Sequence, residues 1–354
     1  MSLRSLQVTD FRCLQRIDLL PDPEFTFICG PNASGKTSLL EAIYLLGRGR
    51  SFRTRRLEHL ARRGAERFVV FGNVHVNGRN CPMGVEGSES GLRARIEGRN
   101  ATGLAELTLA LPTQIIDPEV HKLIEEGPGR RRRFLDWGVF HVEPNFVSHW
   151  QKYQTALKQR NAALKQRQPR GVVSVWDAEL IRHGEAMTEA RARYVALLIP
   201  HAQELTRRLM DKEVGLGFRT GWLKGIGLEE ALWRAWETDW ERSTTSVGPQ
   251  RAELQVLVDG VAARDVVSRG QQKLLAAALL LAQLRLFRSD SQAKPILLLD
   301  DPAAELDHRR LALLIDAVRR PDVQLFVTSL AESVDILGKP GLKLRIAEGQ
   351  ITAF

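Results

Sequence analysis

Residues 30–37 have the residue types and the spacing of a phosphate-binding loop. The pattern G-x-x-x-x-G-K-[ST] is matched in full by Gly30, Pro31, Asn32, Ala33, Ser34, Gly35, Lys36 and Thr37. Glycines in such a loop let backbone N–H groups turn towards an anion, and the helix that follows adds partial positive charge. Lys36 would reach the β- and γ-phosphates of a nucleotide, and the Thr37 hydroxyl would ligate Mg²⁺. The loop lies between a strand-like run, FTFIC, and a helix-like run, TSLLEAIYLL, which argues against a chance glycine-rich turn.

Two adjacent carboxylates, Asp300 and Asp301, follow the apolar run 296–299. Such a run is typical of a strand in a parallel sheet, and nucleotides bind at the carboxyl edge of these sheets. We expect Asp300 to hold Mg²⁺, directly or through a water, and Asp301 to orient the attacking water. Adjacent carboxylates without a cation are unfavourable, which favours the metal. The alternative is that Asp301 only caps the next helix.

A second helix start directed at an anion is predicted at residues 268–271. Ser268 is a good N-cap, Gly270 leaves backbone amides open to an anion, and Gln271 follows them. A chain with one phosphate loop needs the second site only if it faces the nucleotide of another subunit. We therefore predict a homodimer in which ATP lies between the subunits and Ser268 contacts the partner's nucleotide. The alternative is a plain helix cap.

The elements that position these residues come from both ends of the chain. Between residues 68 and 98, Asn77-Gly78 and Gly-Ser clusters separate three short runs, which predicts the hairpins of an antiparallel sheet. Towards the C-terminus the pattern predicts helices over 271–287 and 309–318 and strands over 295–299 and 323–327. We predict an α/β fold. A nucleotide-binding head would be built from residues 1–118 and 213–354, with a helical arm inserted at 119–212.

The inserted segment has helical spacing of large apolar residues. The first stretch has them at Phe146, Trp150, Tyr153, Leu157 and Leu164, with Arg160 interrupting the pattern. A similar spacing resumes after Pro169 and predicts two long antiparallel helices with a turn there. The sequence leaves two interpretations open, a projecting arm and a helical subdomain packed on the core.

The charge of the chain favours a polyanionic partner. Among 354 residues, Lys and Arg number 51 and Asp and Glu 42, which gives a formal net charge of +9. We predict DNA binding, neutral to sequence and dependent on salt, by the arginines after the loop helix: Arg50, Arg53, Arg55, Arg56, Arg62 and Arg63. A second arginine run, 130–133, is a further candidate. For both runs the alternatives are a solvated surface and internal ion pairs, for which Glu125 and Glu126 are near.

Aromatic and cysteine residues add further expectations. The seven tryptophans, among them Trp233, Trp236 and Trp240, are predicted to belong to the core rather than to stack on bases. Three cysteines without CxxC spacing fit a reducing cytosol and no disulfide framework. We see no secretory signal, and the longest apolar run, 274–282, is shorter than the roughly 20 residues of a membrane span. We therefore expect a cytoplasmic protein with no membrane partner.

Together these motifs resemble the ABC-type ATPases of the SMC class, and most closely the bacterial RecF family of recombination proteins. The resemblance covers essentially the whole chain and rests on LQVTDFRCL, GPNASGKTSLLEAIYLLGRGRSFRT, GPGRRRRFLDWGVFHVEP, SRGQQK and LLLDDPAAELD. It implies ATP and Mg²⁺ as cofactors, slow ATP hydrolysis and an ATP-dependent homodimer on DNA. It further implies double-stranded DNA and junctions of single and double strands as ligands. The implied role is to load recombinase at single-strand gaps with mediator proteins, in replication, repair and the SOS response.

The resemblance also assigns roles to individual residues. Residues 30–37 match Walker A, and residues 268–271 match the signature. Asp300 and Asp301 match Walker B and the acid that follows it. Glu305, Leu306 and Asp307 match the D-loop. Lys36, Ser268 and Asp301 would be the catalytic residues, and Gln114 would be the Q-loop contact to the nucleotide. Thr328 and Ser329 stand where transporter cassettes carry a switch histidine, so a hydroxyl there would sense the γ-phosphate.

Two stretches depart from the family pattern. Ala304 stands where a D-loop serine is usual, which would weaken contacts between subunits. Residues 248–253 read GPQRAE where the family tends to read GPHRDD, so the role of an acidic pair in that loop stays open.

Two rival functions share the nucleotide motifs. A transporter cassette is disfavoured by the inserted helices, the arginine-rich run and the signature itself. An ATP-gated nuclease with an SMC-type head would need a further acidic metal site, and no additional carboxylate cluster stands out in the sequence.

Overall fold

The computed structural model describes residues 2–76, 79–290, 294–304, 307–319, 322–332 and 338–353. The chain forms two compact units. Met1–Val120 and Ala277–Phe354 make up the first unit, and His121–Ala276 make up the second. The two ends of the chain thus build one unit. Residues 213–276 lie in the second unit, although the sequence suggested that the inserted segment ends at residue 212.

The strands and helices have the following bounds. The N-terminal part of the first unit contains β1 (Ser2–Phe11), β2 (Leu14–Leu19), β3 (Phe25–Cys29), α1 (Lys36–Arg48), β4 (Arg67–Val76), β5 (Arg79–Ser88), β6 (Gly91–Ile96), β7 (Arg99–Asn100), α2 (Leu104–Ala110) and β8 (Thr113–Ile116). The second unit contains α3 (Lys122–Glu125), α4 (Pro128–Val142), α5 (Phe146–Lys165), α6 (Arg170–Val173), α7 (Asp177–Met210), β9 (Val214–Arg219), α8 (Leu228–Arg234), α9 (Trp236–Arg242), β10 (Glu253–Val258), β11 (Val261–Ala262) and α10 (Ala263–Val266). Helix α11 (Arg269–Asp290) continues from the second unit into the first, and β12 (Ile296–Asp300), α12 (His308–Arg319), β13 (Gln324–Ser329), β14 (Leu342–Ala347) and β15 (Gln350–Ala353) follow.

The described residues of the first unit form two sheets. One is antiparallel with the strand order β2-β1-β4-β5-β6-β7, and the other has the order β15-β14-β3-β13-β12-β8. In the second sheet all neighbours are parallel except β14 and β15. Strands β12 and β13 are buried along their whole length, which explains their apolar runs 296–299 and 325–327. The predicted hairpin sheet is confirmed by β4, β5 and β6, whereas Asn77 and Gly78 lie outside the described residues.

Helix α1 connects the two sheets of the first unit. It contacts β1, β4 and β5 of the antiparallel sheet and β8, β12 and β13 of the parallel one. Leu39, Leu40, Ile43, Leu45 and Leu46 are fully buried in this contact. Because α1 begins at Lys36, its packing holds the phosphate loop at the carboxyl edge of the parallel sheet.

The second unit is built on α5 and α7, the predicted antiparallel pair. Helix α7 also contacts β9, α8 and α4, and β9 pairs with β10. Residues 213–276 therefore bury their apolar side chains against the helices, which is why they belong to this unit. The inserted helices and the small sheet β11-β10-β9 belong to one compact unit. No helix in the described ranges is long and apolar enough to cross a membrane.

Arg160 interrupts the apolar spacing of α5 because it is a buried ion-pairing residue. Its side chain is only 1% exposed, and its guanidinium donates to Asp177 Oδ1 at 2.7 Å, Asp239 Oδ2 at 2.7 Å and Thr245 Oγ1 at 2.8 Å. Burial raises the pKa of Asp177, while the Arg160 charge opposes the rise. Since a buried charge is tolerated only when it is paired and hydrogen bonded, this cluster ties α5 to α7 and α9.

Candidate nucleotide-binding site

The phosphate loop has a backbone that only glycine allows at two positions. Gly30 has φ +152, and a Cβ there would lie 2.1 Å from the carbonyl oxygen of Ile346. Gly35 has φ +113, and a Cβ there would lie 2.8 Å from Leu14 Cδ2. Ala33 between them also has a positive φ, of 61. The two motif glycines are therefore required by the turn and by the close approach of its neighbours.

Lys36 and Ser34 place polar groups in the loop that suit an anion. The Lys36 ammonium donates to the carbonyl oxygens of Gly30 at 2.7 Å and Pro31 at 2.8 Å, and the side chain is only 7% exposed. Ser34 Oγ is buried and has no hydrogen-bond partner within the described chain. A buried hydroxyl without a partner is unfavourable unless a ligand supplies one. The loop therefore fits a phosphate group, while Pro31, Asn32 and Ala33 are exposed.

Three side chains meet at the carboxyl edge of the parallel sheet. The Thr37 hydroxyl lies 3.0 Å from each carboxylate oxygen of Asp300, which ends β12. The Thr328 hydroxyl donates to Asp300 Oδ1 at 2.8 Å. Strands β12 and β13 run parallel with Asp300 opposite Thr328, so the register of the sheet creates this contact. The carboxylate is thus held by hydroxyls from two different elements.

Asp301 lies at the same edge, directly after β12. Its φ of 46 is a left-handed conformation that non-glycine residues rarely adopt. Its backbone N–H donates to Thr328 Oγ1 at 3.0 Å, so the same hydroxyl contacts both acids of the pair. Backbone strain of this kind is often found at functional sites.

The oxygen ligands at this edge suit Mg²⁺. Mg²⁺ is usually held by one or two protein oxygens together with phosphate oxygens and waters. Thr37 and Asp300 offer a hydroxyl and a carboxylate of this kind. In the part of the chain that the structure describes, no group of three or more His, Cys, Asp or Glu side chains is placed to hold a metal.

Gln114 does not lie where a nucleotide contact would be. It pairs with Leu297 in the register of β8 and β12, three residues before Asp300. Its amide donates to Gln283 Oε1 at 3.0 Å, and both glutamines are buried. The structure therefore does not bring Gln114 to the carboxyl edge, because β8 continues to Ile116. The side chain stabilises the packing of α11 on the sheet.

Ser268 is the N-cap of α11 in the second unit. Gln271 N donates to Ser268 Oγ at 3.4 Å, and Ser268 N donates to Gln271 Oε1 at 3.0 Å. This reciprocal pair is a capping box, and it gives hydrogen-bond acceptors to the backbone N–H groups of Ser268 and Gln271 at the helix start. Ser268 is exposed, and Gly270 lies in the first turn. The cap and a contact to an external anion are compatible, since amides of the first turn have no partner within a helix.

The arginines after α1 divide into paired and unpaired groups. Arg53 lies 3.4 Å from Glu41 Oε2, and Arg62 lies 2.6 Å from Asp10 Oδ1. The exposed residues with no ion pair in the described part are Arg55, Arg56 and Arg63. Burial favours a raised pKa for the Tyr44 phenol, but Arg48 and Arg50 outweigh this and lower the pKa. Internal pairing thus accounts for Arg53 and Arg62.

Glu41 is a buried acid that the sequence analysis did not single out. It is fully buried in α1 and forms a two-point pair with Arg12, with contacts of 2.7 and 2.9 Å. It also pairs with Arg53, so it connects the helix of the phosphate loop to the arginine-rich segment. The signal in the sequence was that Glu41 is the one acidic residue of this largely apolar helix.

The second arginine run and the altered loop form internal contacts. Arg131 pairs with Glu253 through contacts of 2.8 and 3.1 Å and donates to backbone carbonyls, and Arg130 pairs with Glu126. Arg132 donates to the carbonyl of Ala252 at 2.8 Å, and burial lowers its pKa. Glu253, the acid of the GPQRAE loop, is therefore engaged in an ion pair with Arg131.

The D-loop is described only at its end. Glu305 and Leu306 lie outside the described residues. Asp307 caps α12, because Arg310 N donates to Asp307 Oδ1 at 2.9 Å.

Comparisons with known proteins agree with this architecture. The family described as RecF/RecN/SMC N terminal domain matches residues 2–339. The chain is 39% identical to a DNA replication and repair protein RecF of Yersinia pseudotuberculosis over 99% of this chain and 98% of that protein. It is 38% identical to the RecF protein of Pectobacterium atrosepticum, over 99% of each.

Solved structures extend these matches. A structure described as the recombination mediator protein RecF with ATP in the RecFOR pathway superposes with a TM-score of 0.89 at 26% identity, over 100% of this chain and 97% of that one. The Smc head domain of Pyrococcus furiosus superposes with a TM-score of 0.60 at 16% identity, over 100% and 96%, which shows the shared fold. This chain belongs to the RecF/RecN/SMC N-terminal domain family, and its full-length relatives there are DNA replication and repair proteins of the RecF type.

Proposed function

We propose that this protein is an ATP-dependent DNA-binding protein of recombinational repair, which forms a homodimer with ATP and hydrolyses it slowly. The observation that carries the proposal is the meeting of Thr37 and Asp300 at 3.0 Å beside a phosphate loop that holds Lys36. The related RecF structure that contains ATP supports ATP as the nucleotide. A cytoplasmic location fits this role.

Each residue of the site has a defined task. Lys36 and the buried Ser34 hydroxyl bind the phosphates within the glycine-bounded loop, residues 30–37. Thr37 and Asp300 would hold Mg²⁺, which would neutralise phosphate charge and polarise the reacting phosphoryl group. Asp301 orients the water that attacks, and Thr328 keeps both acids in position.

The partner subunit completes the site. Ser268 and the amide of Gly270 lie at an exposed helix start, whose partial positive charge suits an anion. In the dimer they contact the γ-phosphate held by Lys36 of the other subunit, and Gln271 supports Ser268 through the capping box. ADP lacks that phosphate, so hydrolysis weakens the dimer and acts as a switch.

DNA binding rests on the unpaired arginines of the first unit. Arg55, Arg56 and Arg63 are exposed, and Arg50 lies between them and α1. Guanidinium groups bind phosphate oxygens without reading bases, so duplexes and junctions of any sequence would bind. The RecFOR pathway named for the related structure supports recombination mediator proteins as partners.

A mixing experiment tests the composite site. Ser268→Asp keeps a good N-cap but places a negative charge against the γ-phosphate, whereas Ser268→Thr is the matched control. We expect Ser268→Asp to bind ATP as a monomer but to lose ATP-induced dimers and turnover. Lys36→Met should also be inactive. A mixture of the two restores one intact site, so part of the activity returns.

Light scattering and turnover distinguish the outcomes. Dimers with ATP, monomers with ADP and complementation in the mixture would support the proposal. The same mass with ATP, ADP and no nucleotide, or no recovery on mixing, would contradict the composite site.

A further inference from the structure

Three tryptophans and two arginines of the second unit form a row beside the turn between α5 and α7. The Arg170 guanidinium lies 5.2 Å from the ring centroid of Trp236 and 6.0 Å from that of Trp233. The Arg167 guanidinium lies 5.3 Å from the ring of Trp240. The rings of Trp236 and Trp240 are 5.5 Å apart and tilted by 32°. We call these five residues the tryptophan–arginine row.

The row is an exposed aromatic surface. Trp233 is 69% exposed, and Trp236 and Trp240 are only partly buried, so the expectation that these tryptophans belong to the core is wrong. The buried face of α8 is formed by Leu228, Ala231 and Leu232, which leaves Trp233 on the other side. A tryptophan this exposed leaves much of its indole surface open to solvent, although Arg170 lies over one part of the ring.

The charges next to the row suit an anion. The segment 165–176 contains Lys165, Arg167 and Arg170 and no carboxylate. The Asp177 carboxylate, which directly follows this segment, interacts electrostatically with Arg170, but no direct ion pair of Arg170 is found in the described part of the unit. Glu237 and Glu241 of α9 are exposed and flank the row, while Asp239 is buried in the Arg160 cluster. The donors of Arg170 are therefore available to a ligand that lies on the indole rings.

We propose that the tryptophan–arginine row binds single-stranded DNA. An unpaired base stacks on Trp233. Arg170 binds an adjacent phosphate, and so does Arg167 through the NH groups that do not donate to the Trp240 carbonyl. Proteins that bind single strands without sequence preference combine aromatic side chains for the bases with cations for the backbone. Duplex DNA does not fit, because its bases are stacked within the helix and do not reach an exposed indole.

This inference rests on the proposed DNA-binding function but adds a second contact on a different unit. The duplex contact uses guanidinium groups alone, whereas the row provides the stacking surface that a single strand needs.

Binding of the full chain to labelled dT20, to an abasic strand of equal length and to a 20-base-pair duplex tests the row. Trp233→Ala should weaken dT20 binding by about 5- to 150-fold, the range found for the loss of one stacked base. Trp233→Phe keeps an aromatic ring and should retain most of the affinity. Leu197 is an apolar residue of α7 that is 47% exposed. Leu197→Ala is therefore the matched control and should not change dT20 binding.

The other two ligands separate stacking from charge. Trp233→Ala should leave binding to the abasic strand and to the duplex unchanged. Arg170→Gln should weaken binding to dT20 and to the abasic strand, and it should reduce the salt slope by about 0.7 for one lost phosphate contact.

The results that would overturn the inference differ from those that would overturn the proposed function. If Trp233→Ala binds dT20 and the duplex as tightly as the wild type does, the single-strand site at the row is rejected, and the proposed function is not. A change of mass or of protein association in Trp233→Ala, with dT20 binding unchanged, would identify a protein-docking surface and also reject it. Failure of the wild type to bind any of the three DNAs would reject the DNA-binding function as well.

Discussion

Removal of the Thr328 hydroxyl is expected to slow ATP hydrolysis without weakening ATP binding. The hydroxyl donates to Asp300 Oδ1 at 2.8 Å and accepts from Asp301 N at 3.0 Å. Among the residues that the structure describes, its hydrogen bonds go to Leu299, Asp300 and Asp301 and not to the phosphate loop. Thr328→Val keeps the shape of the side chain and removes both hydrogen bonds, while Thr328→Ser keeps the hydroxyl and is the control.

The size of the effect follows from the two lost hydrogen bonds. A hydrogen bond to a charged group contributes about 1.5–3 kcal/mol, and a buried N–H left without a partner is unfavourable by about 1–3 kcal/mol. If the hydrogen bond from Thr328 to Asp300 holds this carboxylate in its reactive orientation, its loss lowers the rate by about 10- to 150-fold. The Asp301 backbone, at φ 46, would also lose the contact that holds its N–H. We therefore expect a lower kcat, an unchanged KM for ATP and a higher Mg²⁺ concentration for half-maximal rate.

Single-turnover hydrolysis with a Mg²⁺ titration measures this prediction. Thermal unfolding of the same preparations shows whether each variant is folded. A Thr328→Val protein that is folded and has the wild-type rate and Mg²⁺ dependence would refute the reasoning. An equal loss in Thr328→Ser would refute it too, since the hydroxyl would then not be the cause.

Two further predictions concern the basic surface and the pH dependence of stability. The double variant Arg55→Glu, Arg56→Glu should weaken duplex binding and reduce the slope of log affinity against log salt by about 0.9 per lost phosphate contact. Arg62→Glu, at a position paired with Asp10, is the contrasting control. Equal salt slopes in all these proteins would show that the DNA binds elsewhere. Burial and the neighbouring His183 lower the pKa of His149, so the unfolded chain takes up this proton more readily and stability falls as the pH drops below about 6.5. The unfolding temperature of His149→Gln should therefore change less than that of the wild type between about pH 7.5 and 5.5, and equal changes would exclude His149 as a source of acid sensitivity.

The phosphate loop was predictable because its chemistry is written in contiguous residues. Gly30 and Gly35 are fixed by local backbone geometry, and Lys36 and Thr37 follow from the spacing alone. Strands such as β12 and β13 were predictable for a similar reason, since burial on both faces demands an uninterrupted apolar run.

Residues whose surroundings come from distant segments were not predictable in the same way. Gln114 resembled a residue at a strand end, but β8 continues past it, and Gln283 from α11 takes its amide. Trp233 resembled a core residue because tryptophan usually is one, yet the face of α8 that bears it is exposed. In the sequence, Arg160 only interrupted the apolar spacing of a helix. In the structure its hydrogen-bond partners come from α7, α9 and the loop after α9.

Thr328 shows why resemblance and geometry answer different questions. Its position, where transporter cassettes carry a switch histidine, suggested a hydroxyl that senses the γ-phosphate. The parallel register sets it opposite Asp300, where it is fully buried and hydrogen bonds to the two acids. A residue that contacts both acids can affect hydrolysis without touching the nucleotide, because it sets the orientation of Asp300 and the backbone of Asp301. The Thr37 hydroxyl contacts the same carboxylate from the loop side, so the orientation of Asp300 depends on α1 and β13 together.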